Sequence, residues 1–342
     1  MLNNSPSVIG KSFGSSGKHN CHNRSHLISG MSALTAIMLV FQTAANEYES
    51  NANKSLFWTD SQGALLRRDL KTGNTEVFLS DCSRPYGVVI STDGKRLYFS
   101  DTGDLTVTEV NLETRAKRVL CRGIVAFGLA LGHQDELFVA TGEAAVLRVH
   151  LVTGTIMGRV PCTLRAPVAV DVLPDGRLAI ADLAGSVVLV GRDGAQQELP
   201  GNWVNPVSIL AASETTLFVG DSGSHTISKI DLKDGTRELL EIPGVVTPVG
   251  LALLDRNTLI ISDPDANEFA GAIFAFDLRT STCATLFVGE GSRVNPRCIV
   301  SGGVTPGGNV RSVVEKRLVE RFITRLASKF QVESFDAQPM RL

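Results

Sequence analysis

LFWTD, residues 56–60, alternates bulky apolar side chains and ends in a carboxylate, and variants of it recur along the chain. LYFSD (97–101), LFVAT (137–141), LAIAD (178–182), LFVGD (217–221) and LIISD (259–263) follow it at steps of 41, 40, 41, 39 and 42 residues. Asp60 is therefore one tooth of a repeat, not a lone catalytic acid or metal ligand.

Each period continues alike. A polar turn follows the pentapeptide, then a second alternating run such as LLRRDLKTG (65–73) or ISKIDLKDG (227–235). A third run, such as TEVFL (75–79), and a fourth, such as YGVVIS (86–91) or VGLALL (249–254), lead to the next pentapeptide. Period-2 alternation bounded by Gly and Asp turns marks short β-strands. Four strands per period of about 40 residues predict an all-β fold: a six-bladed β-propeller of four-stranded blades over 54–302. The repeat starts at the second strand of a blade (Leu56) and stops after RCIVSG (297–302). The N- and C-terminal strands are thus expected to close one blade, leaving no open edge in the ring.

In LFWTDSQGALLRRDLKTGNTEVF (56–78), DGKRLYFSDTGD (93–104) and NPVSILAASETTLFVGDSGSHTISKID (205–231), the chain resembles a superfamily of six-bladed propellers. It includes NHL repeats, the YWTD propellers of the LDL-receptor family and the senescence-marker/gluconolactonase family. The first two stretches look gluconolactonase-like, the third more like an NHL repeat. The gluconolactonase resemblance implies a lactone hydrolase with a divalent ion at the channel mouth, held by Glu, Asn and Asp. The corresponding positions here are Tyr86, Phe127, Val168, Val207, Val249 and Arg297, none a carboxylate or an amide. The family's Glu-Gly-Pro lead-in is replaced by Ala52-Asn53-Lys54-Ser55. Hard divalent ions need oxygen ligands, and an arginine in the same mouth repels a cation. No cofactor is predicted and a divalent cation is disfavoured. The same six residues are candidate ligand contacts for an apolar or anionic group, with Arg297 as charge partner. The competing reading is that they close the channel by packing.

Other chemical lookalikes dissolve into the repeat. Ser222 of GDSG (220–223) aligns with Thr102 of SDTGD, so a turn explains both. DPDANE (263–268) starts like a calcium loop but lacks its glycine and its closing glutamate. His133, His150 and His225 fall in turns or at a strand end without shared spacing. The carboxylates ending the pentapeptides are expected to accept hydrogen bonds from neighbouring turns, with Thr141 filling the same role in its period.

A net charge of −2 gives no case for nucleic acid. Six cysteines without a CxxC pair exclude a zinc ribbon or a thioredoxin-like motif. Residues 1–50 differ from the rest: no Asp or Glu precedes Glu47, and Lys11, Lys18 and Arg24 stand ahead of an apolar run at 27–41. That run is shorter than the ~18 residues of a membrane span. It reads as a secretory signal, placing the protein in the secretory pathway or outside the cell; a transit peptide or a disordered tail of a cytoplasmic protein are the alternatives.

Residues 303–342 begin with a Gly/Pro linker and continue into a predicted basic amphipathic helix at 309–330 with a tail. Six basic residues against Glu315 and Glu320 give the helix a charge of +4. Arg317, Arg321 and Arg325 on its polar face are candidate contacts for a protein partner, with packing on the propeller or lying on an anionic membrane as the other readings.

The leading expectation is a non-enzymatic, NHL-like binding module that engages a protein or small ligand through one propeller face. The alternative is a metal-dependent lactonase or esterase-like hydrolase. A YWTD-like receptor fragment is a third reading, and it needs paired cysteines.

Overall fold

The structure, a computed structural model, describes residues 55–289 and 296–302, with the side chains of 296–302 described only at Ile299. The first blade holds β1 (Ser55–Asp60), β2 (Ala64–Asp69) and β3 (Thr75–Leu79). The second is β4 (Pro85–Ile90), β5 (Arg96–Asp101), β6 (Thr106–Asn111) and β7 (Lys117–Arg122). The third is β8 (Ala126–Leu131), β9 (Glu136–Thr141), β10 (Ala145–His150) and β11 (Ile156–Arg159). The fourth is β12 (Pro167–Val172), β13 (Leu178–Asp182), β14 (Ser186–Val190) and β15 (Gln196–Glu198). The fifth is β16 (Pro206–Ala211), β17 (Thr216–Asp221), β18 (Thr226–Asp231) and β19 (Arg237–Leu240). The sixth is β20 (Gly250–Leu253), β21 (Thr258–Asp263), β22 (Ala272–Asp277) and β23 (Thr282–Val288). The last strand, β24 (Pro296–Gly302), pairs antiparallel with β1 and completes the first blade in the order β24-β1-β2-β3. The chain is a six-bladed propeller closed by its two ends. Residues 1–50 and the predicted helix at 309–330, with Arg317, Arg321 and Arg325, lie outside the described residues.

Turn chemistry sets the strand ends. Asp69, Asn111 and Asp277 close the third strands of three blades, and each side chain accepts backbone N–H groups two and three residues on. These turns need a left-handed residue, supplied by Gly73 (φ 73°), Arg115 (φ 59°) and Ser281 (φ 55°).

The core lies between blades. Phe57, Leu65 and Phe78 of the first blade pack against Val88, Leu97 and Phe99 of the second. Trp203 joins Ala179, Leu189 and Leu217 between the fourth and fifth, with the Arg237 guanidinium 4.2 Å above its ring. Burying each such side chain contributes about 1.5–3 kcal/mol. The apolar alternation seen in the sequence is what supplies a sticky face to both neighbours of every blade.

Candidate functional site

Every second strand ends, and every third begins, at the same end of the ring, where the chain also crosses to the next blade's first strand. Four carboxylates organise this end. Asp221 accepts the N–H groups of Val204 and Asn205, ahead of β16, at 2.8 and 2.9 Å, and those of Gly223 and Ser224, in the turn after it, at 3.0 and 3.1 Å. Asp101, Asp182 and Asp263 make the same clasp between incoming link and outgoing turn. At Asp221 burial pushes the carboxyl up, but the four amides outweigh it and hold it below the usual carboxylate value. These side chains are spent on structure. Thr141 is a correction to the expectation: its hydroxyl donates to the Ala145 carbonyl inside its own hairpin at 2.9 Å and does not clasp the incoming link.

The mouth residues sit at irregularities in the first strands. Pro85 pairs with Asp101 and Val88 with Phe99, so one extra residue is accommodated around Tyr86. The same slip occurs around Phe127, Val168 and Val207, and in β24 around Arg297, whose side chain lies outside what the structure describes. Val249 directly precedes β20. Bulges re-aim side chains, so these irregularities set the orientation of the first-strand residues they contain. Tyr86, Phe127, Val207 and Val249 are partly exposed and Val168 is buried. The rings of Tyr86 and Phe127 meet edge to face with centroids 5.3 Å apart, joining the second and third blades.

Two hydroxyls not singled out from the sequence fix that pair. Thr59 donates to the Tyr86 carbonyl of the next blade at 2.6 Å, and Ser100 donates to the Phe127 carbonyl at 2.6 Å while accepting the Gly87 N–H at 2.8 Å. Their signal was the hydroxyl just before the pentapeptide's last residue. Ser222 and Thr102 also behave alike, donating to the carbonyls of Asn205 and Arg84 in equivalent turns. His225 Nδ1 lies 2.8 Å from the Val246 carbonyl, an ordinary turn contact.

The described mouth side chains offer no carboxylate or amide, so they do not fit a divalent ion. Among the described residues no group of three His, Cys, Asp or Glu could hold a metal. Cys82, Cys121, Cys162 and Cys283 are free, and burial pushes the Cys82 thiol up to about 12.

Among the described residues, six large apolar side chains reach solvent on the outer strands, Val77 and Leu239 among them, but those exposed in loops cluster at this end of the ring. Leu105, Val125, Leu183, Val204 (54% exposed), Val246 and Phe269 (74% exposed) all lie in its turns and links. In the loops at the opposite end only Val152 does so among the described residues.

Scans against protein-family models and curated proteins find no match. Among solved structures, a chain of a crystallised nidogen/laminin complex is 18% identical with a TM-score of 0.63, covering 73% of this chain and 99% of that one. A selenomethionine-substituted virginiamycin B lyase from Staphylococcus aureus is 17% identical with a TM-score of 0.49, covering 63% of this chain and 73% of that one. The first likeness is one of fold, and it agrees with the sheet order: the chain is a six-bladed β-propeller.

Proposed function

We infer that the protein is a non-enzymatic binding module that engages a protein partner through the end of the propeller carrying the channel mouth. The carrying observation is the one-sided distribution of exposed apolar loop residues: six at this end and one at the other among the described residues. Water-exposed apolar side chains concentrated on one face mark an interaction surface, whereas scattered ones are normal. The rigid backbone beneath them lowers the ordering cost of binding, because the clasped links need not be fixed again when a partner arrives. The structurally similar propeller belongs to a crystallised complex of nidogen with laminin, which supports a protein as the class of partner. Among the described residues no converging set of oxygen ligands favours the lactonase or esterase alternative.

The test is site-specific photocrosslinking in cells that express the full chain. A benzophenone side chain at Val204 is expected to capture protein adducts, and the same probe at Leu239, exposed on the outer strand β19, is not. Adducts from position 239 alone, or from neither position, contradict this reading.

A further inference from the structure

Two guanidiniums stand at the mouth without a charge to answer them. Arg84 directly precedes Pro85 of β4, and Arg165 lies two residues ahead of Pro167 of β12; both are exposed. Among the described residues neither side chain has an ion-pair or hydrogen-bond partner. Their main chains are fixed, since Asp101 accepts the Arg84 N–H at 2.8 Å and Asp182 accepts the Arg165 N–H at 2.6 Å. Of the other cations of the same sector, Lys117 pairs with Asp81 at 2.6 Å and Arg159 with Glu143 at 2.9 Å, while Arg122, at the end of β7, is exposed without an ion pair among the described residues and adds to the positive side. Between the two arginines, on the third blade, stands Phe127, with Tyr86 against it.

The acids on this end are segregated. At this end, in the described turns and links of the second to fourth blades, Asp104 is the one exposed carboxylate without an ion pair. Glu241, Asp265 and Glu268 gather around the sixth blade, diametrically opposite the third in the ring. The face therefore has a cationic, aromatic side and an acidic side.

We propose that the cationic side binds an acidic peptide segment of the partner, whose carboxylates pair with Arg84 and Arg165 while an apolar side chain rests on the Tyr86–Phe127 pair. This rests on the reading that the mouth end binds protein, and it names the chemistry recognised there. Arginine suits the task because its planar fork takes a carboxylate bidentately and is only weakly hydrated. The exposed rim position keeps each contribution modest and makes binding sensitive to salt. Charges arranged this way set orientation and association rate more than raw affinity, and the opposed acidic side rejects an acidic segment laid down the wrong way round.

The experiment uses the full chain and a fluorescein-labelled peptide of glutamates and glycines around one phenylalanine, followed by anisotropy. Its control replaces every glutamate with glutamine. The glutamate peptide is expected to bind, to weaken roughly threefold with Arg84→Gln or Arg165→Gln and roughly tenfold with both, and to weaken as salt rises. Both positions are exposed, so an unchanged melting temperature verifies that the variants fold. If the glutamine peptide binds as tightly and Phe127→Ala abolishes both, the charge assignment is overturned while binding at this end stands. If neither peptide binds, the acidic-segment proposal is overturned, and the crosslinks from position 204 judge the broader reading independently.

Discussion

Asp171 Oδ2 accepts the Ala211 N–H at 2.8 Å, tying the first strand of the fourth blade to the first strand of the fifth inside the ring. Its other oxygen accepts the Val172 N–H at 2.8 Å. At this level the neighbouring first strands carry Val89, Ala130, Leu210 and Ala252, so the carboxylate stands in an apolar girdle. Burial pushes its carboxyl up to about 6, against the pull of the two amides, and no charged side chain contributes.

A folded value above the unfolded one, near 3.9, means that the folded state holds a proton the unfolded chain has lost between pH 4 and 6. Stability from this group is therefore fully present below about pH 4 and falls as pH rises to about 6. Urea unfolding of the wild type and Asp171→Asn across this window is expected to differ in slope, with the downward trend present only in the wild type. Parallel curves contradict the assignment.

Asp221 predicts the opposite trend. Its carboxyl is held low, so its contribution is present above the unfolded value and lost as pH falls through the folded one. Asp221→Ala is expected to cost about 3 kcal/mol at pH 7, because four amides lose their acceptor. That difference from the wild type shrinks below about pH 4. Thr141→Ala removes only one hairpin bond and is expected to cost about 1 kcal/mol.

The ring is tight where first strands meet. A Cβ on Gly128 would lie 2.7 Å from the Val168 carbonyl oxygen and 2.8 Å from the Ala169 Cα. On Gly87 it would lie against the Phe127 carbonyl. Gly128→Ala is expected to lower stability by about 2 kcal/mol through forced separation of the third and fourth blades, measured by thermal unfolding. Gly94→Ala in an exposed turn has open space around it, so its cost is backbone strain alone.

Closure through β24 predicts that removing residues 296–342 leaves the β1 edge unpaired and the first blade with three strands. Such a chain is expected to associate in size-exclusion chromatography, whereas one ending at 302 stays monodisperse if closure alone protects this edge.

The strands and their order could be read from LFWTD and its echoes because alternation and terminal Asp repeat with nearly constant spacing. Closure followed from the phase of that repeat, Leu56 at its start and Gly302 at its end. Thr141 was misread because a hydroxyl can donate as well as accept, and only the folded hairpin shows which it does. In VAVDVL (168–173) Asp171 reads as one more polar position of the alternation, since a strand pattern does not say whether its second face meets solvent or a channel. Nor does a sequence tell a paired arginine from an unpaired one: Arg84 and Arg165 stand out only against the ion pairs of Lys117 and Arg159.

The most direct measurement is a methyl NMR titration of the full chain with the glutamate–phenylalanine peptide, with Leu105, Val125 and Leu183 as reporters on the cationic side of the mouth end and Val77 and Leu239 as reporters on the outer strands. The account predicts shifts confined to the first three. Shifts at Val77 and Leu239 instead, or spread evenly over all five, would contradict binding through the channel mouth.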